Sequence, residues 1–262
     1  MVKVGYFQFA PVFGEKEENL NTVLSALNDV NADLIVLPEL PFTGYGFSSR
    51  EELLSLAEDP SEASTVFKLV KLCRTQGFRL VTGFAEKAGE KCYNSALLLG
   101  PAGIEGRYRK LHLFDREKTY FDPGDLPLDV FDMDGISVGM MVCFDWIFPE
   151  VARTLALRGA DILCHPANLV LSYCQQTMLS RCTENLVYAV TANRTGSECH
   201  SSGTLDFTGA SQIAAPGGRI IHRSGKEIQE VFVVEVDILQ SRNKCITERN
   251  DVLADRRPEF YY

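Results

Sequence analysis

The sequence predicts an α/β protein built as one domain, and three observations carry that expectation. Short apolar runs of strand length recur between segments whose apolar residues fall at helical spacing. Glycine- and proline-bearing turns punctuate nearly every junction between them. No repeat, linker or low-complexity segment divides a chain of 262 residues, 45% of them hydrophobic, which is enough to bury one full core.

In chain order, residues 2–9 alternate and stop at Pro11, a first strand. Residues 16–30 place Leu20, Val23, Leu24, Leu27 and Val30 on one face, an amphipathic helix. Residues 33–37 (Asp-Leu-Ile-Val-Leu) read as a buried strand closed by Pro38-Glu39, followed by a loop rich in aromatics and glycine. Ser49 and Glu52 have the spacing of a capping box for a short helix. Val66, Leu69, Val70 and Cys73 mark the next helix, stopped by Gly77. Residues 78–84 and 93–99 are predicted strands, and a turn at Pro101-Ala102-Gly103 sends residues 104–110 back as a hairpin. Residues 111–125 read as loop.

Residues 136–142 form a buried strand opened by the Asp134-Gly135 turn. Pro149 and Glu150 suit a helix start, since proline needs no N–H there and a carboxylate complements the helix dipole. Gly159 is the expected stop. Residues 161–164 are another buried strand, 178–188 a helix and 189–192 a strand. Residues 211–215 and 219–221 pair across Pro216-Gly217-Gly218, and 230–236 close a sheet. The tail, residues 250–262, has Arg256, Arg257, Tyr261 and Tyr262 but no core pattern.

Charge and cysteine usage narrow the function. A net charge of -9 and a pI near 5.0 argue against nucleic acid or an anionic membrane as partner. The longest uncharged stretch, residues 162–180, contains His165, Pro166, Asn168 and two glutamines and does not suit a bilayer. The N-terminus lacks the layout of a signal peptide. Eight cysteines are scattered without a C-x-x-C pair, a spacing that fits neither a zinc site nor a disulfide scaffold and suits a reducing cytoplasm.

Ionisable residues at strand ends carry the chemistry. Glu39 follows one buried strand, Lys110 ends another and Cys143 a third, and such ends face a common crevice. A carboxylate, an ammonium and a thiol divide the work of a nucleophilic hydrolase: Glu39 takes the thiol proton, Lys110 steadies the thiolate and then an oxyanion, and Cys143 attacks a carbon bonded to nitrogen. Free backbone N–H groups beside Cys143 are expected to lower its thiol pKa. The alternatives are a buried cysteine acting as a small hydrophobe, and a partly solvated Glu39–Lys110 ion pair.

Leu-Pro-Glu-Leu around Glu39, Tyr-Arg-Lys-x-His-Leu-Phe around Lys110 and Cys-Phe-Asp-Trp-x-Phe-Pro-Glu around Cys143 resemble the three signature segments of the nitrilase superfamily of carbon–nitrogen hydrolases. Gln8-x-x-Pro11, Tyr93-Asn94-Ser95, Phe121-x-Pro123-Gly124 and His165-Pro166-Ala167-Asn168 agree as well, so the resemblance runs over nearly the whole chain. It implies a four-layer α-β-β-α sandwich, the triad Glu39–Lys110–Cys143, a second glutamate at Glu117, and pairing of subunits into a homodimer or larger homo-oligomer. The helix after Cys143 and the tail are the expected contacts.

Within that family, tryptophan then glutamate after the cysteine marks true nitrilases. Phe144-Asp145-Trp146 instead looks like amidases and carbamoyl hydrolases. The expected activity is hydrolysis of a small amide to acid and ammonia through a thioester, with nitrile or N-carbamoyl amine hydrolysis as alternatives. The Phe144 N–H would share the oxyanion with Lys110. Tyr45, Tyr120, Trp146 and Asn168 are expected on the substrate side, with Phe47 and Phe121 as further candidates. Glu117, between Arg116 and Lys118 in a polar loop, is expected to stay ionised, hold Lys110 and bind the amide N–H₂; the alternative is an ordinary solvated residue. Of the histidines 112, 165, 200 and 222, His112 and His165 are expected to be structural. Asp145 reads as turn capping, Glu150 as helix start, and Gly217-Gly218 as a hairpin turn. No metal set or cofactor motif is visible, and the chemistry requires neither.

Overall fold

The computed structural model describes residues 1–200 and 203–261; the His200 side chain and Tyr262 lie outside the described residues. The first half runs β1 (Val2–Gln8), α1 (Lys16–Ala26), β2 (Leu34–Val36), α2 (Arg50–Leu56), α3 (Ser64–Gln76), β3 (Arg79–Ala88), β4 (Lys91–Gly100), β5 (Gly103–Arg109) and α4 (Glu117–Tyr120). The second runs β6 (Val130–Met133), β7 (Ile136–Met140), α5 (Pro149–Leu157), β8 (Ile162–Pro166), α6 (Cys174–Asn185), β9 (Tyr188–Ala192), β10 (Ser197–His200), β11 (Gly203–Asp206), β12 (Gln212–Ala214), β13 (Ile220–Arg223) and β14 (Glu230–Val236).

Two six-stranded sheets result, ordered β14-β1-β2-β3-β4-β5 and β13-β12-β9-β8-β7-β6. Each has three parallel strands at its centre, β1-β2-β3 and β9-β8-β7, flanked by antiparallel ones. Strand alternation sorts their side chains. Val4, Tyr6, Leu34, Val36, Val81 and Leu98 pack in the same core as Val138, Met140 and Ile162 of the second sheet. Phe7, Ile35, Leu80, Leu97 and Leu99 point the other way, against Leu20 and Val23 of α1 and Val66 and Leu69 of α3. Val151 and Leu155 of α5 and Met178 and Cys182 of α6 cover the outer side of the second sheet. The layers are therefore helix, sheet, sheet, helix, the expected sandwich.

The face-to-face packing sets the crevice. The carboxyl end of β2 meets that of β8, where the Glu39 N–H reaches the Ala167 carbonyl at 3.5 Å. Beside it, the Met141 N–H donates to the Cys164 carbonyl at 3.1 Å, carrying the register of β7 past its last paired residue.

Several boundaries differ from expectation, for local reasons. The first helix stops at Ala26, and Asp29 adopts φ 62°, so Val30 falls outside it. Half of the capping box forms: the Glu52 N–H donates to Ser49 Oγ at 3.1 Å, but Glu52 Oε2 accepts from Ser48 N and Oγ at 2.6 and 2.7 Å. The sixth helix begins at Cys174 rather than 178 and ends at Asn185, because Leu186 turns left-handed (φ 46°) and releases Tyr188 into β9. Residues 111–125 contain the single helical turn α4.

Candidate functional site

Glu39 leaves β2 through Leu37 and Pro38 and is fully buried. Its Oε1 accepts from Asn94 Nδ2 at 2.7 Å and from Lys110 Nζ at 2.7 Å. Its Oε2 has no partner among the described residues, a buried carboxylate oxygen left free. The turn that aims it is tight. Leu40 takes φ 47°, and a Cβ on Gly83 would stand 2.5 Å from Leu40 N and 2.6 Å from Glu39 Cα, so only glycine lets β3 pass this close.

Lys110 follows β5, and its N–H donates to the Asn94 carbonyl at 2.8 Å, so β4 and β5 present Asn94 and Lys110 to the same carboxylate. Its ammonium is 2.7 Å from Glu39 Oε1 and 2.8 Å from Glu117 Oε1, with neither side chain reaching solvent. Burial opposes the Lys110 charge, but Glu117 and Glu39 outweigh it and hold the pKa above an ordinary lysine. Glu117 is 3% exposed, which corrects the expected polar loop: one turn of helix swings it inward while Arg116 and Lys118 stay exposed. Its Oε1 also accepts from Tyr45 OH at 2.8 Å, and its Oε2 from the Phe114 N–H at 3.0 Å. Burial pushes the Glu117 carboxyl up; Lys110 opposes this and Glu39 adds to it.

Cys143 sits at φ 41° in the 3₁₀ turn Cys143–Ile147 that separates β7 from α5. A left-handed non-glycine residue costs on the order of 1 kcal/mol, and it persists only where neighbours impose it. Two do. The His165 Nε2–H donates to the Cys143 carbonyl at 2.9 Å. The buried Asp145 carboxylate accepts from Val142 N at 2.8 Å, Tyr108 OH at 2.7 Å and the His112 ring at 2.8 Å. Both histidines and Asp145 are thus structural, as expected. The thiol pKa moves against expectation. Burial raises it well above that of a free cysteine, Glu39 adds to the rise, and Lys110 and the Asn168 N–H only partly oppose it. The shift favours the protonated thiol.

The space beside Cys143 has two parts. A slot of about 10 Å³ is lined by Cys143, Phe144, Trp146, Phe114 and Asn168, and the Asn168 side-chain amide is buried without a partner among the described residues. Phe114 and Val170 line both this slot and a cavity of about 340 Å³ whose wall also carries Tyr45, Glu117, Tyr120, Phe121 and Leu205. The Phe144 N–H meets no acceptor among the described residues. Also among them, no group of three His, Cys, Asp or Glu side chains is placed to hold a metal ion.

The carbon-nitrogen hydrolase family matches residues 3–243. The chain belongs to that family. Among its relatives are a "Nitrilase" of Pyrococcus abyssi, 46% identical over all of both chains, and an "(R)-stereoselective amidase" of Pseudomonas, 32% identical over 98% of this chain and 92% of the other. An "N-carbamoylputrescine amidase" of Solanum lycopersicum is 30% identical over 100% and 94%. The solved carbon-nitrogen hydrolase of Helicobacter pylori superposes with a TM-score of 0.88 at 25% identity, covering 99% of this chain and 97% of the other. An amidase of Nesterenkonia, 24% identical, shares the fold at a TM-score of 0.81.

In this carbon–nitrogen hydrolase the structure gathers Glu39, Lys110, Glu117 and Tyr45 in one bonded cluster with Cys143 electrostatically coupled to it. Phe144, Trp146 and Asn168 line the slot, and Tyr120 the cavity. Phe47 is not among these lining residues: it packs buried against Phe13 and Phe121. Two contributors escaped sequence reasoning as site residues. Asn94 was detectable as a buried amide inside the apolar strand Cys-Tyr-Asn-Ser-Ala-Leu. Glu198, whose Oε2 accepts from the Tyr45 N–H at 3.0 Å, lies in β10, whose Ser-Glu-Cys-His has no apolar alternation to announce it.

Proposed function

We propose that the protein hydrolyses small amides to carboxylic acid and ammonia, with Cys143 as nucleophile, Glu39 as base, Lys110 as oxyanion donor and Glu117 as the group that holds Lys110 and the substrate N–H₂. The observation that carries this is the free Glu39 Oε2, fully buried with its twin oxygen pinned by Lys110 and Asn94. Glu39 Oε2 takes the Sγ proton as Sγ attacks the carbonyl carbon. The oxyanion is met by the Lys110 ammonium and the Phe144 N–H. Glu39 returns its proton to the departing nitrogen, the C–N bond breaks, and ammonia leaves a thioester. Water, losing a proton to Glu39, adds to the thioester; the C–S bond breaks, the acid leaves, and Glu39 reprotonates the thiolate.

Tyr45, Phe114, Tyr120, Phe121, Val170 and Leu205 give the cavity an apolar wall suited to the body of an acyl group, while Asp115, Arg116 and Glu117 set charges into the same lining. Nitrile hydrolysis is the second reading, favoured by the relative called a nitrilase. It supplies no N–H₂ for Glu117 to accept. Ammonia release from matched amides, nitriles and N-carbamoyl amines tests the proposal: amides should turn over fastest, and Cys143→Ala should abolish turnover with the fold intact. Glu39→Gln should prevent thioester formation. Glu117→Gln should lower kcat/KM while Cys143 still reacts with a small electrophile. Nitrile turnover above amide turnover, or an active Cys143→Ala variant, would reject the reading.

A further inference from the structure

We propose that Glu198 is a positioning residue for the hydrolytic site, acting through the backbone of residues 44–46 and the Tyr45 hydroxyl. This rests on the proposal that Glu117 and Lys110 serve Cys143.

Glu198 is 5% exposed, and its carboxylate is occupied by two kinds of partner. One is Arg194, 1% exposed, whose Nη1 pairs with Glu198 Oε1. Arg194 is itself fixed: Nη2 donates to the Pro11 carbonyl at 2.9 Å, and the guanidinium lies 4.0 Å from the Phe207 ring. The other partner is the aromatic loop. Glu198 Oε2 accepts from Tyr45 N at 3.0 Å and from Gly46 N at 2.7 Å. The carboxylate lies so close to Gly44 (φ 76°) that a Cβ there would be 2.8 Å from Oε1.

A carboxylate receiving two successive backbone N–H groups fixes the direction of the peptide between them, and charge-assisted bonds of this kind are about twice as strong as neutral ones. The side chain so directed is Tyr45, whose hydroxyl donates to Glu117 Oε1, the oxygen that also holds Lys110 Nζ. Burial and the Glu117 and Glu39 charges push the Tyr45 hydroxyl well up, so it remains a donor. The series Arg194, Glu198, Tyr45, Glu117, Lys110 thus joins the first residues of the β10–β11 hairpin to the oxyanion donor. Leu205, on the same hairpin, lines the cavity. None of Arg194, Glu198 or the two N–H groups is placed to touch the reacting atoms.

Removing the Glu198 charge frees Tyr45 to turn away. Glu117 then loses a donor that favours its charged form, and its proton affinity rises against the remaining neighbours, Lys110 and Glu39. Glu198→Gln and Tyr45→Phe should each lower kcat/KM for ammonia release from phenylacetamide on the order of 10-fold, and each should move its acid limb to higher pH. The double variant should lose little more than either single one. Tyr45→Phe leaves the Arg194–Glu198 pair intact, so it tests the series even if Glu198→Gln unfolds. The pH dependence of Cys143 alkylation by iodoacetamide, read on its own peptide, should shift alike in both variants and needs no turnover. Wild-type enzyme that alkylates but releases no ammonia rejects the amidase reading without touching this one. An unchanged pH dependence in Tyr45→Phe, or additive losses in the double variant, overturns the positioning role.

Discussion

Replacing Lys110 with methionine keeps most of the side-chain volume and removes the one positive charge between Glu39 and Glu117. Both carboxylates stand within 2.8 Å of the ammonium and are at most 3% exposed, so neither can turn to solvent for compensation. Breaking a buried pair from one side costs about 3–5 kcal/mol, because the surviving charge stays desolvated. For a chain of this length that is roughly 2 °C in Tm per kcal/mol, or ~6–10 °C. The loss should depend on pH in a definite direction. Burial already pushes the Glu117 carboxyl up against the opposing pull of Lys110, and removing that ammonium pushes it further. A group whose folded pKa is raised is more stabilising below that pKa and less so above it. The variant should therefore lie nearer wild type at pH 5 than at pH 8, by thermal melts at the two pH values. Adding Glu117→Gln should restore part of the Tm and none of the activity, whose loss should be at least 10²-fold. Lys110→Arg should not rescue, since a planar guanidinium does not replace a compact ammonium between two oxygens. A Lys110→Met protein that melts with wild type at both pH values would refute the buried three-charge cluster, and a Lys110→Arg enzyme near wild-type rate its catalytic role.

Gly83→Ala should cost activity before stability, because the added methyl pushes on Pro38, Glu39 and Leu40 and displaces the base; unchanged kcat/KM would show that the turn has room. His165 is held below its usual pKa, near 6.5, by burial, partly opposed by its bond to the Cys143 carbonyl. The unfolded chain then binds more protons below about pH 6.5, so stability should fall with pH there, and His165→Gln should flatten that slope in urea titrations at pH 5 and 7. We also propose a homodimer through α5 and residues 250–262. Leu157 and Tyr261, 46% and 52% exposed, border a hollow lined also by Arg153 and Arg256, and Phe260 beside Tyr261 in the chain is 69% exposed. Light scattering should give twice 29.2 kDa at micromolar concentration, and a monomer there would reject it.

What the sequence made legible follows the strength of each local signal. Buried strands such as Leu34–Val36 and Ile162–Pro166 are apolar without interruption, and helix stops at Gly77 and Gly159 use left-handed φ values of 80° and 91°. The sixth helix was misplaced because its first turn carries Gln175 and Gln176. Gln175 is buried all the same, donating to Thr208 Oγ1 and the Gly209 carbonyl at 3.1 Å, so tertiary hydrogen bonds replaced the apolar contacts that periodicity detects. Glu117 was misjudged by its neighbours in sequence; helix geometry sends adjacent residues in different directions. The thiol pKa of Cys143 was misjudged because the sequence announces nearby N–H groups but not the depth at which the sulfur lies or the Glu39 charge above it.

That depth bears on how the proposed first step is possible at all. With both carboxylates ionised, the resting cluster of two carboxylates, one ammonium and a neutral thiol has a net charge of about −1 and is at most 6% exposed. Forming a thiolate by losing a proton to water would bring it to −2, which burial and Glu39 both oppose, and the raised pKa expresses that opposition. Passing the proton to Glu39 Oε2 instead moves the negative charge without adding to it. Lys110 then faces a neutral Glu39 on one side and an anionic sulfur, and shortly the substrate oxyanion, on the other. The ammonium exchanges one counter-charge for another without moving far, with Glu117 Oε1 at 2.8 Å holding it in place during the exchange. In the proposed mechanism the second carboxylate makes that exchange workable. Without it Lys110 would remain bound to Glu39, and the first proton transfer would have to break their ion pair unaided.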